Sequence, residues 1–258
     1  MLQAREVSAS GTVDLQVEAG IAQIVLNRPS KHNALTLSMY DDIARICGQV
    51  NRDDRIRAVV IRGAGEKAFC AGSDTGNFAD FADFMAWTAT DDYTHHLLSI
   101  QKPCIAAIKG WALGGGLEIA LACDIRVASQ TAVFGAPEVT LGWTGAGGAA
   151  QHLTRLVGYG QTMRILLTGD RVDAEEAKSL GIIECLVEAG REVDVALEYA
   201  ERITGFDAFA TQSIKSAVRH AMSHSVAEGL RIEKQLMTLC FTQREFERLF
   251  ANAQNPAA

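Results

Sequence analysis

The sequence predicts an α/β fold of parallel strands and crossover helices that gives way to a helical C-terminal region. Three features carry this expectation. Short, almost wholly apolar runs such as RAVVIRG and PCIAAIKG have the length of buried strands. Between them stand segments whose apolar residues recur at helical spacing, so strands and helices alternate as in crossover-connected sheets. Beyond about residue 205 the strand signals stop and helical periodicity alone remains. No linker rich in Pro, Gly or Ser separates the parts, and the whole chain has only four prolines. The expected division is 1–205 for the core and 206–258 for the helical region.

Along the chain, TVDLQVEAGIAQIVLNRP alternates apolar and polar residues around Ala19-Gly20, which reads as two strands joined by a tight turn; Pro29 ends the second. From Leu37, the apolar residues Tyr40, Ile43, Ala44, Ile46, Cys47 and Val50 follow helical spacing, and NRDD closes that helix. RAVVIRG is a short buried strand, followed by GAGEKAFCAGSDTGNF as a glycine-punctuated loop. A helical region of mixed polarity spans residues 78–99. PCIAAIKG makes another buried strand, the GGG segment opens a helix, and DIRVAS returns as a strand. The pattern of strand, strand and helix thus repeats at least twice. RVDAEEAKSLGIIECLVE inserts one more helix and strand at about 173–188. In the tail, Ile214, Ala217, Val218, Leu230, Leu236, Leu239 and Phe246 require cover, from the chain's own core or from a neighbouring subunit.

Composition narrows the function classes. With 48% hydrophobic and 21% charged residues, the chain has the balance of a soluble globular protein. A net charge of −7 argues against a nucleic-acid partner. The most apolar stretch is interrupted by Lys109, Glu118 and Asp124, short of the roughly 20 residues a membrane helix needs. The opening residues MLQAREVSAS lack the apolar core of a signal peptide. Cysteines at 47, 70, 104, 123, 185 and 240 show no CxxC spacing, so reduced thiols in a cytoplasmic protein are expected rather than disulfides or a zinc site.

The candidate chemistry lies in CIAAIKGWALGGGLEIALACD. Glycines at 114–116 let backbone N–H groups approach a ligand closely, and the helix they open adds partial positive charge. Neither GxxxxGK[ST] nor GxGxxG is present, so a nucleotide phosphate is not indicated; close packing of helix on strand is the other reading. Glu118 has only Gly114, Gly115, Leu121 and Ala122 at i±3 and i±4, so no polar face surrounds it. It is either a first-turn glutamate favoured by the helix dipole or a buried carboxylate of the kind that gathers at functional sites. In AVFGAPEVTLGW, Glu138 stands among apolar residues and glycine. Two such glutamates, separated by a strand-length return, can face one site and divide acid and base roles. His220 and His224 are four apart on a helix, but no third metal ligand accompanies them.

Together these segments closely resemble the crotonase, or enoyl-CoA hydratase/isomerase, superfamily. The match runs in order through LNRPSKHNAL, RAVVIRGAGEKAFCAGSD, KPCIAAIKGWALGGGLEIALACDIRVAS, AVFGAPEVTLG and LTGDRVDAEEAKSLGIIECLV. The resemblance implies a crotonase-like spiral of repeated ββα units, with the C-terminal helices covering the pocket and mediating oligomerisation. It implies an oxyanion hole made by the backbone N–H groups of Ser73 and Gly115, set against the thioester oxygen of an acyl-CoA. It also implies that Glu118 activates water and Glu138 delivers a proton to C2. Ser30, Lys31 and His32 are placed at the adenine pocket, and Ala71, Asp74, Thr75, Gly114 and Trp143 along the substrate. Gly145 stands where such proteins usually carry proline, and TQREFERLF departs from the usual tail. The implied activity is a 2-enoyl-CoA hydratase, with no metal and no cofactor beyond the coenzyme A of the substrate, in a homotrimer or homohexamer. The alternatives are a dehydratase or double-bond isomerase for a specialised acyl-CoA, and a non-catalytic acyl-CoA-binding protein.

Overall fold

A computed structural model of the chain describes residues 11–78, 85 and 92–254. The chain forms two compact units, residues 1–204 and 205–258. The first begins with the expected hairpin, β1 (Thr12–Glu18) and β2 (Ile21–Asn27), turning at Ala19 and Gly20, both at positive φ. Helix α1 (Leu37–Arg52) follows, capped by the Thr36 hydroxyl on the Met39 N–H. Its residues Met39, Tyr40, Ile43, Ile46, Cys47 and Val50 are buried, the apolar stripe read from the sequence except that Met39 joins it and Ala44 is only half-buried.

The strands β3 (Ala58–Gly63), β5 (Cys104–Ile108), β7 (Ile125–Ser129) and β10 (Cys185–Val187) complete a six-stranded sheet ordered β1-β2-β3-β5-β7-β10. Only the first hairpin is antiparallel. On one face lie Ile24, Leu26, Val59, Ile61, Ala106 and Ile108, packed with the buried side of α1. On the other, Ile21, Ala58, Val60, Ile105, Ala107 and Val127 meet Ala196 and Ala200 of helix α6 (Glu192–Thr204). Burial on both faces is why AVVI and CIAAI are apolar throughout rather than alternating.

A second sheet was not legible as such. The segment expected to be a loop between 63 and 78 contains β4 (Ala68–Cys70), which pairs with β6 (Trp111–Leu113), β8 (Val133–Gly135) and β9 (Val172–Asp173) in the order β4-β6-β8-β9. The pairs β3–β4, β5–β6 and β7–β8 each lay their first strand in the large sheet and their second in the small one, whereas β1 and β2 both lie in the large sheet. Strands β4, β6 and β8 run parallel as neighbours, so their C-terminal ends lie along one edge. Helix α3 (Gly115–Ala122) leaves β6, and a 3-10 turn at Pro137–Leu141 leaves β8.

Helix α2 (Tyr93–Leu98) is capped by Asp92, whose carboxylate accepts from the N–H groups of Thr94 and His95. With residues 78 and 85 it is what is described of the helical region expected over 78–99; residues 79–84 and 86–91 lie outside the described residues, as do the first ten. Helix α4 (Ala149–Thr168) is broken at Gly158, and α5 (Ala174–Leu180) precedes β10 as expected. Asp124, just before β7, accepts the Cys104 N–H at 2.7 Å and so secures the start of β5. The second unit pairs α7 (Ala208–Ala221) with α8 (Val226–Gln254). Among the described residues no helix is long and apolar enough to cross a membrane, and no group of three His, Cys, Asp or Glu could hold a metal ion. The six cysteines are free, and burial raises the Cys47 and Cys70 thiols to about 12.

Candidate active site

The C-terminal ends of β4, β6 and β8 supply one element each to a common site, the edge at which ligands bind in open parallel sheets. Beyond β4 the chain turns through Gly72 into Ser73. Beyond β6 it turns through Gly114 into α3, and beyond β8 it enters the turn that carries Glu138. The neighbouring turns are tied by the Gly114 N–H on the Gly135 carbonyl at 2.8 Å.

The three glycines answer to three separate constraints. Gly114 has φ +52, where L side chains are strained, and a Cβ there would sit 2.8 Å from Glu138 Oε1. A Cβ on Gly115 would collide with the Tyr93 hydroxyl, and one on Gly116 with the Cys70 carbonyl oxygen. Gly116 allows α3 to close on β4, which is the packing reading of the run, while Gly114 and Gly115 stand against Glu138 and Tyr93. The N–H groups of Ser73 and Gly115 are engaged by no hydrogen bond among the described residues. They are near neighbours, because a Cβ on Gly72 would stand 3.2 Å from Gly115 N.

Glu118 is 3% exposed in the first turn of α3. Its Oε2 accepts the Tyr93 hydroxyl at 2.8 Å and its Oε1 accepts the Gly147 N–H at 2.7 Å. Burial raises its pKa; the Tyr93 hydroxyl and the backbone N–H groups of Gly147 and Ala149 oppose the shift. Glu138 Oε2 is buried with no hydrogen-bond partner. Its pKa is also raised, first by burial, with the charge of Glu118 adding to it and its own backbone N–H opposing. A Cβ built on Gly145 would lie 2.8 Å from Glu118 Oε1 and 3.5 Å from Glu138 Oε1. The two carboxylates therefore face one small space, which the missing side chain of Gly145 leaves open.

The remaining expected residues fall into two groups. Ser30 and His32, with Pro29, Asn33, Ala64, Glu66, Lys67 and Ala68, line a cavity of about 220 Å³; Lys31 is exposed. The His32 ring lies 4.6 Å from that of Trp111, and the His32 carbonyl accepts the Ala71 N–H at 3.0 Å. Asp74 fixes the loop after β4: it accepts Arg28 Nη1 at 2.6 Å and the Gly76 N–H at 3.0 Å. Arg28, with further help from the Gly76 N–H, holds the Asp74 carboxyl below the usual carboxylate range. Thr75 is exposed at the start of a 3-10 turn. Trp143 is 44% exposed, its N–H directed to the Glu138 carbonyl.

Several contributors had no usable signal in the sequence. Asn33, fully buried, accepts the Arg28 N–H and donates to the carbonyls of Ala64, Ala68 and Phe69, which pins the first loop to the β3–β4 connection. Tyr40 read simply as part of the α1 stripe, yet its hydroxyl donates to Ser73 Oγ at 2.6 Å. Its ring stacks on Tyr93 at 5.0 Å. Tyr93 sits in a segment of mixed polarity, where periodicity gives no hint of its contact with Glu118.

Residues 16–252 match the family described as Enoyl-CoA hydratase/isomerase. The chain is similar to a short-chain-enoyl-CoA hydratase of Clostridium acetobutylicum, 34% identical over 236 residues that cover 90% of each protein. It is 40% identical to an (E)-benzylidenesuccinyl-CoA hydratase of Thauera aromatica over 207 residues, 80% of this chain and 81% of the relative. The crystal structure of an enoyl-CoA hydratase from Bacillus anthracis superposes with a TM-score of 0.83 at 32% identity, covering 95% of this chain and 96% of that one.

Proposed function

The chain belongs to the enoyl-CoA hydratase/isomerase family, and from that premise we propose that it reversibly adds water across the 2,3-double bond of a 2-enoyl-CoA thioester. The observation that carries this reading is the pair of carboxylates facing the space beside Gly145, next to two uncommitted backbone N–H groups. A protein that only bound acyl-CoA would gain nothing from two costly buried acids.

Donor accounting supports a division of roles. Glu118 accepts the Tyr93 hydroxyl and the backbone N–H groups of Gly147 and Ala149, which favours its ionised form. Glu138 keeps a buried oxygen without a partner, which favours its neutral form. Glu118 takes a proton from water as the oxygen adds to C3. The displaced electron pair moves onto the thioester oxygen, which the Ser73 and Gly115 N–H groups stabilise as an enolate oxygen. Glu138 then gives its proton to C2, and dehydration follows the same steps in reverse. Ser30 and His32 border the cavity assigned to the adenine end of coenzyme A. The exposed apolar residues of the second unit support assembly into a homotrimer or a dimer of trimers.

Loss of the conjugated-thioester absorbance of crotonyl-CoA tests the proposal; binding without turnover of any 2-enoyl-CoA would leave only an acyl-CoA-binding protein. The likeness to the benzylidenesuccinyl-CoA hydratase favours a second reading, a preference for a larger, aryl-bearing acyl group. Cinnamoyl-CoA, with a phenyl group at C3, should then be hydrated with a higher kcat/KM than crotonyl-CoA.

A further inference from the structure

Tyr93 lies outside the machinery described above but touches its base. The residue is 3% exposed, and its ring is fixed on one side by stacking against Tyr40 at 5.0 Å. Its hydroxyl lies where a Cβ on Gly115 would be, against the first turn of α3, and reaches Glu118 Oε2 at 2.8 Å. The other side-chain oxygen of Glu118 is held by the Gly147 N–H at 2.7 Å and is the one that faces the space beside Gly145. The phenol therefore binds the far oxygen and leaves the near one for water.

We propose that Tyr93 is the positioning residue of Glu118, holding that carboxylate ionised and turned toward the space beside Gly145. The proposal rests on the hydratase reading for its kinetic consequence, since only a base for water needs Glu118 charged. A phenol suits the role because it donates one strong hydrogen bond without bringing a charge that would neutralise the base. Burial first, then the neighbouring charge of Glu118, keeps the Tyr93 hydroxyl well above its ordinary pKa, so it remains a donor wherever the enzyme works. The titratable groups facing the pair are few. Asp92, at the cap of α2, acts on Glu118, and Glu118 in turn acts on Glu138, while Tyr40 of α1 and Cys70 of β4 act on Tyr93. Apart from Tyr93, none of them donates a hydrogen bond to Glu118, so removal of the phenol leaves burial opposed by backbone donors alone.

The test is the titration of Glu118 itself, followed by carbon NMR of protein labelled at the glutamate side-chain carboxyl and assigned through Glu118→Gln. In Tyr93→Phe the midpoint should move up by about one to two pH units, the scale of a hydrogen bond to a charged group. The acid limb of kcat/KM for crotonyl-CoA should follow it, with KM changed by no more than a few-fold. Tyr40→Phe retains the Tyr93–Glu118 bond and should leave the midpoint in place. An unmoved midpoint in Tyr93→Phe, or an equal shift in Tyr40→Phe, overturns the assignment. Should Tyr93→Phe not fold, 3-fluorotyrosine at position 93, a more acidic donor, should lower the midpoint; a rise or no change overturns it. The NMR titration needs no turnover, so a wild-type protein that fails to hydrate crotonyl-CoA refutes the hydratase reading separately.

Discussion

Glu138 shows at the scale of one residue how function and stability oppose each other. Its Oε2 is buried without a partner, so the charged form is disfavoured and the pKa is raised. Between the unfolded value, near 4.3, and the raised folded value, the folded chain binds more protons than the unfolded one. Stability therefore falls as pH rises through that window. Glu138→Gln removes the charge, and its thermal midpoint should exceed that of the wild type at neutral pH, with the gain vanishing below about pH 4. The same variant should lose turnover by about 10²–10⁴-fold while acyl-CoA affinity stays within a few-fold. Unchanged turnover would remove Glu138 from the mechanism. Gly145 makes a complementary case. A methyl group there would stand 2.8 Å from Glu118 Oε1 and 3.5 Å from Glu138 Oε1, where the proposed mechanism holds water. Gly145→Ala should lower kcat for hydration by crowding that space while a saturated acyl-CoA still binds, which calorimetry can read.

The elements that matter most for the site are the shortest ones. Strands β4, β6 and β8 have three residues each, too few for an alternating pattern to register. The sequence therefore showed the long buried strands and the helices around them, while AFC falls in a stretch that reads as loop and WAL and VFG carry no strand signal of their own. Parallel pairing of these three is what collects Ser73, Gly115, Glu118 and Glu138 at one edge. Helix α3 depends on the same pairing, since Gly116 closes on the backbone of β4. Gly116→Ala would press a methyl group into the Cys70 carbonyl, and a clash with backbone cannot be relieved by rotamer change. It should destabilise by about 1–3 kcal/mol in denaturant unfolding. Turnover should fall more than that loss of folded protein explains, because α3 carries both the proposed oxyanion donor and the proposed base. Ser73→Ala, by contrast, keeps the backbone N–H; kcat should stay within a few-fold, and only the Tyr40 hydroxyl loses its acceptor.

For the whole molecule, the second unit poses the main physical question. Within it α7 and α8 pack on each other, yet Ile214 is 65% exposed, Val226 81% and Phe241 66%. Apolar faces of this extent mark interaction surfaces or aggregation liabilities. A closed assembly of identical subunits would cover them without leaving an open end. Sedimentation at micromolar concentration should therefore report a species of at least three chains, and Ile214→Glu combined with Leu230→Glu should shift it toward smaller species. A wild-type monomer with full activity would show that these faces require no second copy.

The sequence by itself determined the order and type of the long elements, because buried strands and amphipathic helices leave periodic signatures that need no partner to be read. It also singled out Glu118 and Glu138, since a carboxylate in apolar surroundings is costly wherever the chain goes. What it could not contain is which distant atoms meet. That Oε1 of both glutamates borders Gly145, that Tyr93 holds one of them, and that Tyr40 reaches Ser73 are contacts spanning 25 or more residues for Tyr93 and Tyr40. Tertiary structure decided them, because a hydroxyl's partner depends on where parallel strands place their ends, and no local periodicity records that placement.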